Sequence, residues 1–216
     1  MLCIYHTHFA TPPTGQQWEQ LQAPLPPAFV AQTQRFVRWE DRLARLLGRR
    51  LLAHGLHAQR GEPPALHAIR QTRFGKPFLD GPVQFNITHS GGVVACALTD
   101  AGDIGLDVEQ HRAISLDDFH GFVPDPPWLS CADPVAQRIV FFNFWTQRES
   151  VLKAEGQGMS IHPKEIRPDH HGAWLNGRFW AIHSLDLHPG YSAHLACVPT
   201  PETPRLEFIP LHRLSA

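Results

Sequence analysis

The chain has 216 residues, of which 43% are hydrophobic and 18% charged, with a formal net charge of -1 at pH 7. This composition indicates one globular unit or two small lobes, and it excludes a globally disordered chain. The near-zero net charge excludes a protein that binds duplex nucleic acid through a general excess of basic residues. No apolar run reaches the ~18 residues of a membrane span. Residues 1–8 lack the regions of a signal peptide, and the four dispersed cysteines are expected to be free thiols in a reducing cytoplasm.

The first half of the chain is expected to hold a strand, a helical region and a hairpin. Residues 2–9 alternate loosely, as in a strand. Residues 29–56 carry apolar side chains at helical spacing, which predicts one long amphipathic helix or a broken pair. Two β-rich runs, 83–88 and 93–98, are separated by Ser90-Gly91-Gly92, and this pattern predicts a hairpin.

The second half repeats this order of elements. A strand at 103–109 is followed by a helical piece near 116–119, a proline-rich loop at 124–134, and a helix at 134–155 with a glycine stop signal. Further strands are expected at 173–175, 179–187, 192–198 and 206–211. The order predicts an α+β fold of two lobes, 1–102 and 103–216, that join near Gly102.

Two carboxylates lie on the strand at 103–109. Side chains alternate along a strand, so Asp107 and Glu109 share one side and Leu106 and Val108 take the other. Oxygen ligands suit magnesium, which would neutralise the pair. An edge strand with solvated acids explains the same pattern equally well.

The helix at 134–155 carries a second candidate group. Glu149 and Lys153 are one turn apart and share a face. Such a pair is usually a surface ion pair, but the surrounding residues are apolar, and a buried carboxylate requires a charged partner.

The first helical region of the chain has an unusual charge. Residues 35–50 are rich in arginine, which indicates either a solvated helix face or an anion-binding surface.

Taken together, these patterns resemble the signature of the 4'-phosphopantetheinyl transferases, in the larger Sfp-like subclass. The resemblance covers roughly residues 35–160 and rests on motifs in the family's order. Those motifs are the arginine-rich run 45–52, Gly75-Lys76-Pro77, Phe85-Asn86-Ile87-Thr88-His89-Ser90, Asp107-Val108-Glu109, and the helix segment from Trp145 to Lys153. One departure is Arg148, where the family usually has lysine.

The resemblance implies a fold of two similar α/β lobes related by a pseudo-twofold. It also implies transfer of the phosphopantetheine arm of coenzyme A to a serine of an apo acyl- or peptidyl-carrier protein, with release of 3',5'-ADP. We expect a cytoplasmic monomer with no nucleic-acid or membrane partner. The resemblance places the 3'-phosphoadenosine of coenzyme A on the first lobe and the metal on the second.

The resemblance also implies roles for individual residues. Asp107, Glu109 and Glu149 would hold Mg²⁺, with Mn²⁺ as a possible substitute. Asp107, Glu149 and Lys153 would be the catalytic residues: Lys153 contacts the phosphate, and Glu149 takes the serine proton directly or through a metal-bound water. The coenzyme A ligands would be Arg42, Arg45, Lys76, Pro77, His89, Ser90 and Lys153, although the two arginines depend on a helix alignment that allows a shift of one residue.

Three other functions fit parts of the pattern. A protein of the same fold that binds coenzyme A or a carrier without transfer would keep most of these motifs. A nucleotide-binding phosphatase built on the acidic cluster would release phosphate without a carrier. A serine hydrolase is disfavoured, because Thr88 occupies the position where a nucleophile elbow needs glycine.

Overall fold

The computed structural model of the protein describes residues 1–61, 65–119 and 126–215. The first half contains β1 (Leu2–His8), α1 (Gly15–Gln22), α2 (Pro27–Thr33), α3 (Trp39–Arg60), β2 (Arg70–Gln71), β3 (Pro77–Phe78), β4 (Gln84–Ser90) and β5 (Val93–Thr99). The second half contains β6 (Ile104–Gln110), α4 (Pro134–Glu155), β7 (Arg167–Asp169), β8 (Gly172–Leu175), β9 (Arg178–Ser184), β10 (Tyr191–Cys197), β11 (Arg205–Phe208) and α5 (Leu211–Leu214).

Local signals define the ends of the second long helix, α4. The Asp133 side chain accepts a hydrogen bond from the Ala136 amide at 2.9 Å, and Pro134 occupies the first helical position. The helix ends at Gly156, which has a φ of 80° and therefore adopts a conformation that glycine tolerates best. The predicted bounds 134–155 are confirmed.

The helical region in the first half is a broken pair, one of the two predicted alternatives. Helix α2 ends at Thr33, and α3 begins at Trp39. Helix α3 then places a row of leucines in the core, where Leu43, Leu47 and Leu51 have no exposed surface. The spacing of that row is the helical periodicity in the sequence.

Two sheets form the centre of the molecule. The first has the order β11-β1-β5-β4, in which β1 is parallel to β11 and antiparallel to β5. The second has the order β6-β10-β9-β8-β7 and is antiparallel throughout. Strands β4 and β5 form the predicted hairpin, in which Ser90 pairs with Val93 across Gly91 and Gly92.

The two sheets pack against each other, and one long helix covers the outer side of each. The even-numbered apolar residues of β6, such as Leu106, belong to one core cluster with side chains of the first sheet, such as Ile4. The opposite side of β6 faces α4, and α3 packs on the outer side of the first sheet. This layered arrangement confirms the predicted mixed α/β class.

Two sequence expectations are refined by the C-terminal part of the chain. The strand expected at 206–211 ends at Phe208, and a short helix begins at Leu211. Strand β11 joins the first sheet, so the chain returns to the side of β1 after forming the second. The boundary between residues 102 and 103 remains a prediction. Of the proline-rich loop predicted at 124–134, residues 124 and 125 lie outside the described part of the chain. No helix among the described residues is long and apolar enough to cross a bilayer.

Candidate functional site

The site forms where β6 and α4 come into backbone contact. A Cβ atom on Gly105 would lie 2.1 Å from the carbonyl oxygen of Ser150 and 2.2 Å from the amide nitrogen of Ala154. Only glycine permits so close an approach of a helix to a strand. The next odd-numbered residues of the strand, Asp107 and Glu109, therefore face the helix that carries Glu149 and Lys153.

The centre of the site is an ion pair between the strand and the helix. The Lys153 ammonium lies 2.5 Å from Asp107 Oδ1 and donates to Thr88 Oγ1 at 3.2 Å. Asp107 is only 4% exposed, and its Oδ2 atom is buried without a hydrogen-bond partner among the described residues. Burial raises the pKa of Asp107, although the Lys153 charge opposes the shift.

Two further carboxylates, those of Glu109 and Glu149, lie close enough to Asp107 to be repelled by its charge. Ser90 Oγ donates to Glu109 Oε2 at 2.7 Å. Burial is the main cause that raises the pKa of Glu109 and of Glu149, and repulsion by Asp107 raises both further. When all three are ionised, Lys153 and, at Glu109, Arg112 offset part of their charge, and an additional cation would stabilise the group further.

The side chains do not form a ready-made metal centre. Within residues 1–61, 65–119 and 126–215, no three His, Cys, Asp or Glu side chains are grouped closely enough to hold a metal ion. In this arrangement Asp107 Oδ1 is bound to Lys153, and Glu109 accepts from Ser90. A shared cation would therefore require the carboxylates to move closer together than they lie in this arrangement.

A cleft of about 720 Å³ opens beside these groups. Residues from both sheets line it, among them His89, Ser90 and Glu109, together with Arg38 and Arg112. This volume lies within the range typical of small-molecule sites. Partial desolvation lowers the pKa of His89, and the charges of Arg45 and Lys153 lower it further, so its imidazole tends to be neutral.

Of the seven expected coenzyme A ligands, Lys153 contacts Asp107, as described above, and the other six divide into two groups. His89 and Ser90 line the cleft, and Arg45 is close enough for its charge to act on His89. The Arg45 guanidinium lies 4.0 Å above the centre of the Phe36 ring. The structure thus brings these three residues to one region.

The other expected ligands lie elsewhere. Arg42 lines a separate cavity with Trp18 and Thr33. Pro77 pairs with Gln71 in the small β2-β3 sheet. The Lys76 ammonium donates to two backbone carbonyls at the opposite end of β6 from the cleft. The structure does not bring these three residues to the cleft.

Arg148, the departure from the family pattern, is 9% exposed and lies in an aromatic environment. Its guanidinium carbon lies 3.5 Å from the centre of the Phe144 ring, which in turn contacts Trp128. Burial lowers the pKa of Arg148 to about 10. The side chain therefore packs toward the segment at 126–130, as a cation over an aromatic face.

Sequence reasoning missed the polar row on β4 that joins the two sheets. Asn86 Oδ1 accepts from the Leu106 amide at 2.9 Å, and Ser90 Oγ accepts from the Gln110 amide at 3.1 Å. Thr88, between them, contacts both Lys153 and Asp107. The signal was present, because Asn86, Thr88 and Ser90 are spaced two residues apart and must share one side of the strand.

A buried histidine next to Asp107 was also missed. His194 on β10 pairs with Asp107 on β6, so both side chains face α4. Its Nδ1 atom lies 2.7 Å from Thr146 Oγ1 on that helix. Burial lowers the pKa of His194 to about 4, so the imidazole is neutral at pH 7. No pattern in the sequence indicated His194, because its cross-strand partner Asp107 lies far away along the chain.

Comparison with known proteins relates the chain to one family. Residues 11–100 match the model of the family described as "4'-phosphopantetheinyl transferase, N-terminal". The chain is 30% identical to the 4'-phosphopantetheinyl transferase Sfp of Bacillus subtilis (strain 168) over 162 residues, 73% of this chain and 72% of that protein. It is 29% identical to AcpT of Escherichia coli (strain K12) over 187 residues, 84% and 86% of the two chains.

A third relative is matched over a shorter region. The chain is 33% identical to the 4'-phosphopantetheinyl transferase gsp of Aneurinibacillus migulanus over 129 residues, 59% of this chain. That region spans 54% of gsp, about half its length.

Proposed function

Because the chain belongs to the 4'-phosphopantetheinyl transferase family, we propose that it moves the 4'-phosphopantetheine arm of coenzyme A to a serine of an apo carrier protein. In this reaction the serine oxygen forms a bond to the phosphorus that carries the arm. The diphosphate bond to that phosphorus breaks, the serine proton goes to a base, and 3',5'-ADP leaves. The observation that carries the proposal is the Lys153–Asp107 pair, which lies with two further carboxylates beside a cleft of nucleotide-binding size.

A divalent cation, Mg²⁺ or Mn²⁺, forms part of the proposal. The donor set suits a hard cation, since Asp107, Glu109 and Glu149 offer only carboxylate oxygens. The buried, unpartnered Oδ2 atom of Asp107 supports the fit, as does the repulsion by Asp107 that adds to burial in raising the pKa values of Glu109 and Glu149. When bound, the ion would neutralise diphosphate charge and stabilise the leaving phosphate.

Side chains of the protein would contact the phosphate, take the serine proton and bind coenzyme A. Lys153 would place its ammonium against the phosphate under attack, where negative charge develops. Glu149 would take the serine proton, directly or through a water, and its raised pKa makes it a better base than an ordinary glutamate. His89, Ser90 and Arg45 would hold the phosphoadenosine end of coenzyme A in the cleft.

The proposal extends to cellular setting and partners. A cytoplasmic enzyme that acts as a monomer on acyl- or peptidyl-carrier proteins fits the properties of the chain. Cys3, Cys96 and Cys197 are buried free thiols, which suits a reducing compartment. The described residues contain both carboxylate-bearing elements and the cleft, so a second copy is not needed to supply them.

The direct test is an intact-mass measurement of carrier proteins. The purified chain is incubated with Mg²⁺, coenzyme A and a panel of apo acyl- and peptidyl-carrier proteins. The proposal predicts a mass increase of one phosphopantetheine arm on a carrier and formation of 3',5'-ADP. Asp107→Asn and Glu149→Gln should each abolish the increase. The exposed carboxylate of Asp186 provides a matched control, since Asp186→Asn should leave transfer unchanged.

Two outcomes would contradict transfer and indicate another function. Binding of coenzyme A with no mass increase on any carrier would indicate a binding module of the same fold. Release of inorganic phosphate in the absence of a carrier would indicate a phosphatase. Transfer that survived both substitutions would contradict the assignment of Asp107 and Glu149.

A further inference from the structure

Lys76 joins the two elements that carry the candidate catalytic groups. Its ammonium donates to the carbonyl oxygen of Ala154 at 2.9 Å and to that of Ile104 at 3.1 Å. Ala154 directly follows Lys153 near the end of α4, and Ile104 is the first residue of β6. One side chain from the turn between β2 and β3 therefore connects the end of the helix with the start of the strand.

The C-terminus of α4 is a favourable place for a lysine. The last carbonyls of a helix lack partners within it and carry a partial negative charge, which a cation stabilises. The lysine stem passes close to Gly156, where a Cβ atom would lie 3.0 Å from Lys76 Cδ. Gly156 therefore ends the helix with its positive φ and also leaves space for the lysine.

The surroundings of Lys76 are those of a structural group. Burial lowers the pKa of the Lys76 ammonium, while the charges of Asp103 and Glu155 oppose the shift. Asp103 itself is held by Arg178, at 2.6 Å. Two of the three donors of the ammonium are thus directed at the backbone, in a region already balanced by neighbouring charges.

Lys76 also lies far from the cleft along β6. Ile104, which it contacts, lies five residues before Glu109, which lines the cleft. At a rise of about 3.3 Å per residue, this separation is roughly 17 Å along the strand. Between the two ends lies Gly105, where α4 and β6 are in backbone contact.

We infer that Lys76 is a positioning residue, which clamps α4 to β6 and so sets the approach of Lys153 to Asp107, rather than a ligand of the phosphoadenosine. Its carbonyl partners and its distance from the cleft carry this inference. The effect of Lys76 on the transfer rate rests on the proposed function, whereas the contact by which Lys76 joins α4 to β6 does not.

The test compares Lys76→Met, which keeps most of the stem and removes the ammonium, with Lys164→Met at an exposed lysine. Amide hydrogen exchange in the last turn of α4 should accelerate about tenfold or more in Lys76→Met. The affinity for 3',5'-ADP, measured by calorimetry, should stay within about twofold of the parent value. In the transfer assay, kcat should fall by at least about tenfold, because small misplacements of reacting groups are costly, while the KM for coenzyme A changes little. Lys76→Arg should restore part of the protection and rate, and Lys164→Met should change none of these values.

Two results would overturn the inference. One is a loss of 3',5'-ADP affinity of about tenfold with unchanged exchange in α4, which would make Lys76 a ligand. The other is unchanged exchange together with unchanged kcat. If the parent chain transfers nothing, the proposed function fails, but exchange and 3',5'-ADP binding still decide whether Lys76 is a clamp.

The unsubstituted protein offers a second measurement should Lys76→Met not fold. The lysine side chains are labelled with ¹⁵N, and the Lys76 ammonium signal is followed by NMR as 3',5'-ADP is added. A clamp predicts that the signal does not shift at saturation. A shift larger than that of the other lysines would overturn the inference.

Discussion

Gly105→Ala should separate α4 from β6 and thereby disrupt the site. The added methyl group would meet Ser150 O at 2.1 Å and Ala154 N at 2.2 Å. Both atoms belong to the helix backbone, so no side-chain rotation can relieve the overlap. Since non-bonded atoms prefer a separation of about 3.5 Å, the helix must move away by roughly 1 Å.

This displacement should affect stability and activity together. Overpacking a well-packed interface usually costs about 1–3 kcal/mol, and the involvement of backbone atoms places Gly105→Ala near the upper end. The same displacement lengthens the 2.5 Å contact between Lys153 and Asp107. A misplacement of about 1 Å can reduce a rate about 100-fold, so we expect a loss of that order in kcat.

The assay combines urea unfolding with steady-state transfer to an apo carrier. Gly15→Ala is the matched control, because no described atom lies within 4 Å of the Cβ position at Gly15. The control should keep full activity and stability. A Gly105→Ala protein within about 0.5 kcal/mol of the parent and with full kcat would refute the described contact between α4 and β6.

Three further predictions concern the charges around this contact. Lys153→Met leaves the Asp107 carboxylate buried without its cation, and urea unfolding at neutral pH should show a loss of about 3 kcal/mol; an unchanged free energy of unfolding would contradict the ion pair. The raised pKa of Glu149 means that the folded state holds this proton more tightly than the unfolded state, so ionisation costs stability as the pH rises from 4.5 through the raised value. In metal-free buffer, Glu149→Gln should therefore be more stable than the parent at neutral pH, with the difference vanishing below pH 4.5; equal stability at both pH values would contradict the shift. For His194 the sign is opposite: burial lowers its pKa from 6.5 to about 4, so the unfolded state binds the proton first and stability falls as the pH drops from 6.5 to 4. The free energy of unfolding lost in this way is about 3 kcal/mol. His194→Gln should remove this loss from the pH dependence of unfolding. An unchanged pH profile would show that His194 is not buried as a neutral group.

Features controlled by neighbouring residues were predictable from the sequence. The bounds of α4 follow from Asp133, Pro134 and Gly156, which act on the backbone next to them. The β4–β5 hairpin follows from Gly91 and Gly92 between two apolar runs. The alternation of β6 likewise gave the side on which Asp107 and Glu109 lie.

Features that depend on distant pairing were not predictable in the same way. Helical spacing suggested Glu149 as the partner of Lys153, but the Lys153 ammonium contacts Asp107, 46 positions away. The motif resemblance grouped Lys76 with His89, yet Lys76 contacts the end of α4, 78 positions away. Such contacts depend on how the sheets and helices pack, which residue spacing alone does not encode.

The proposed function requires that Asp107, Glu109 and Glu149 share one divalent cation next to Lys153 when coenzyme A is bound. This binding can be measured by titration with Mn²⁺ in the presence of coenzyme A, followed by electron paramagnetic resonance. We predict one bound ion per chain in the parent protein and loss of that ion in Asp107→Asn and in Glu149→Gln. Undiminished Mn²⁺ binding in both variants would contradict the claim.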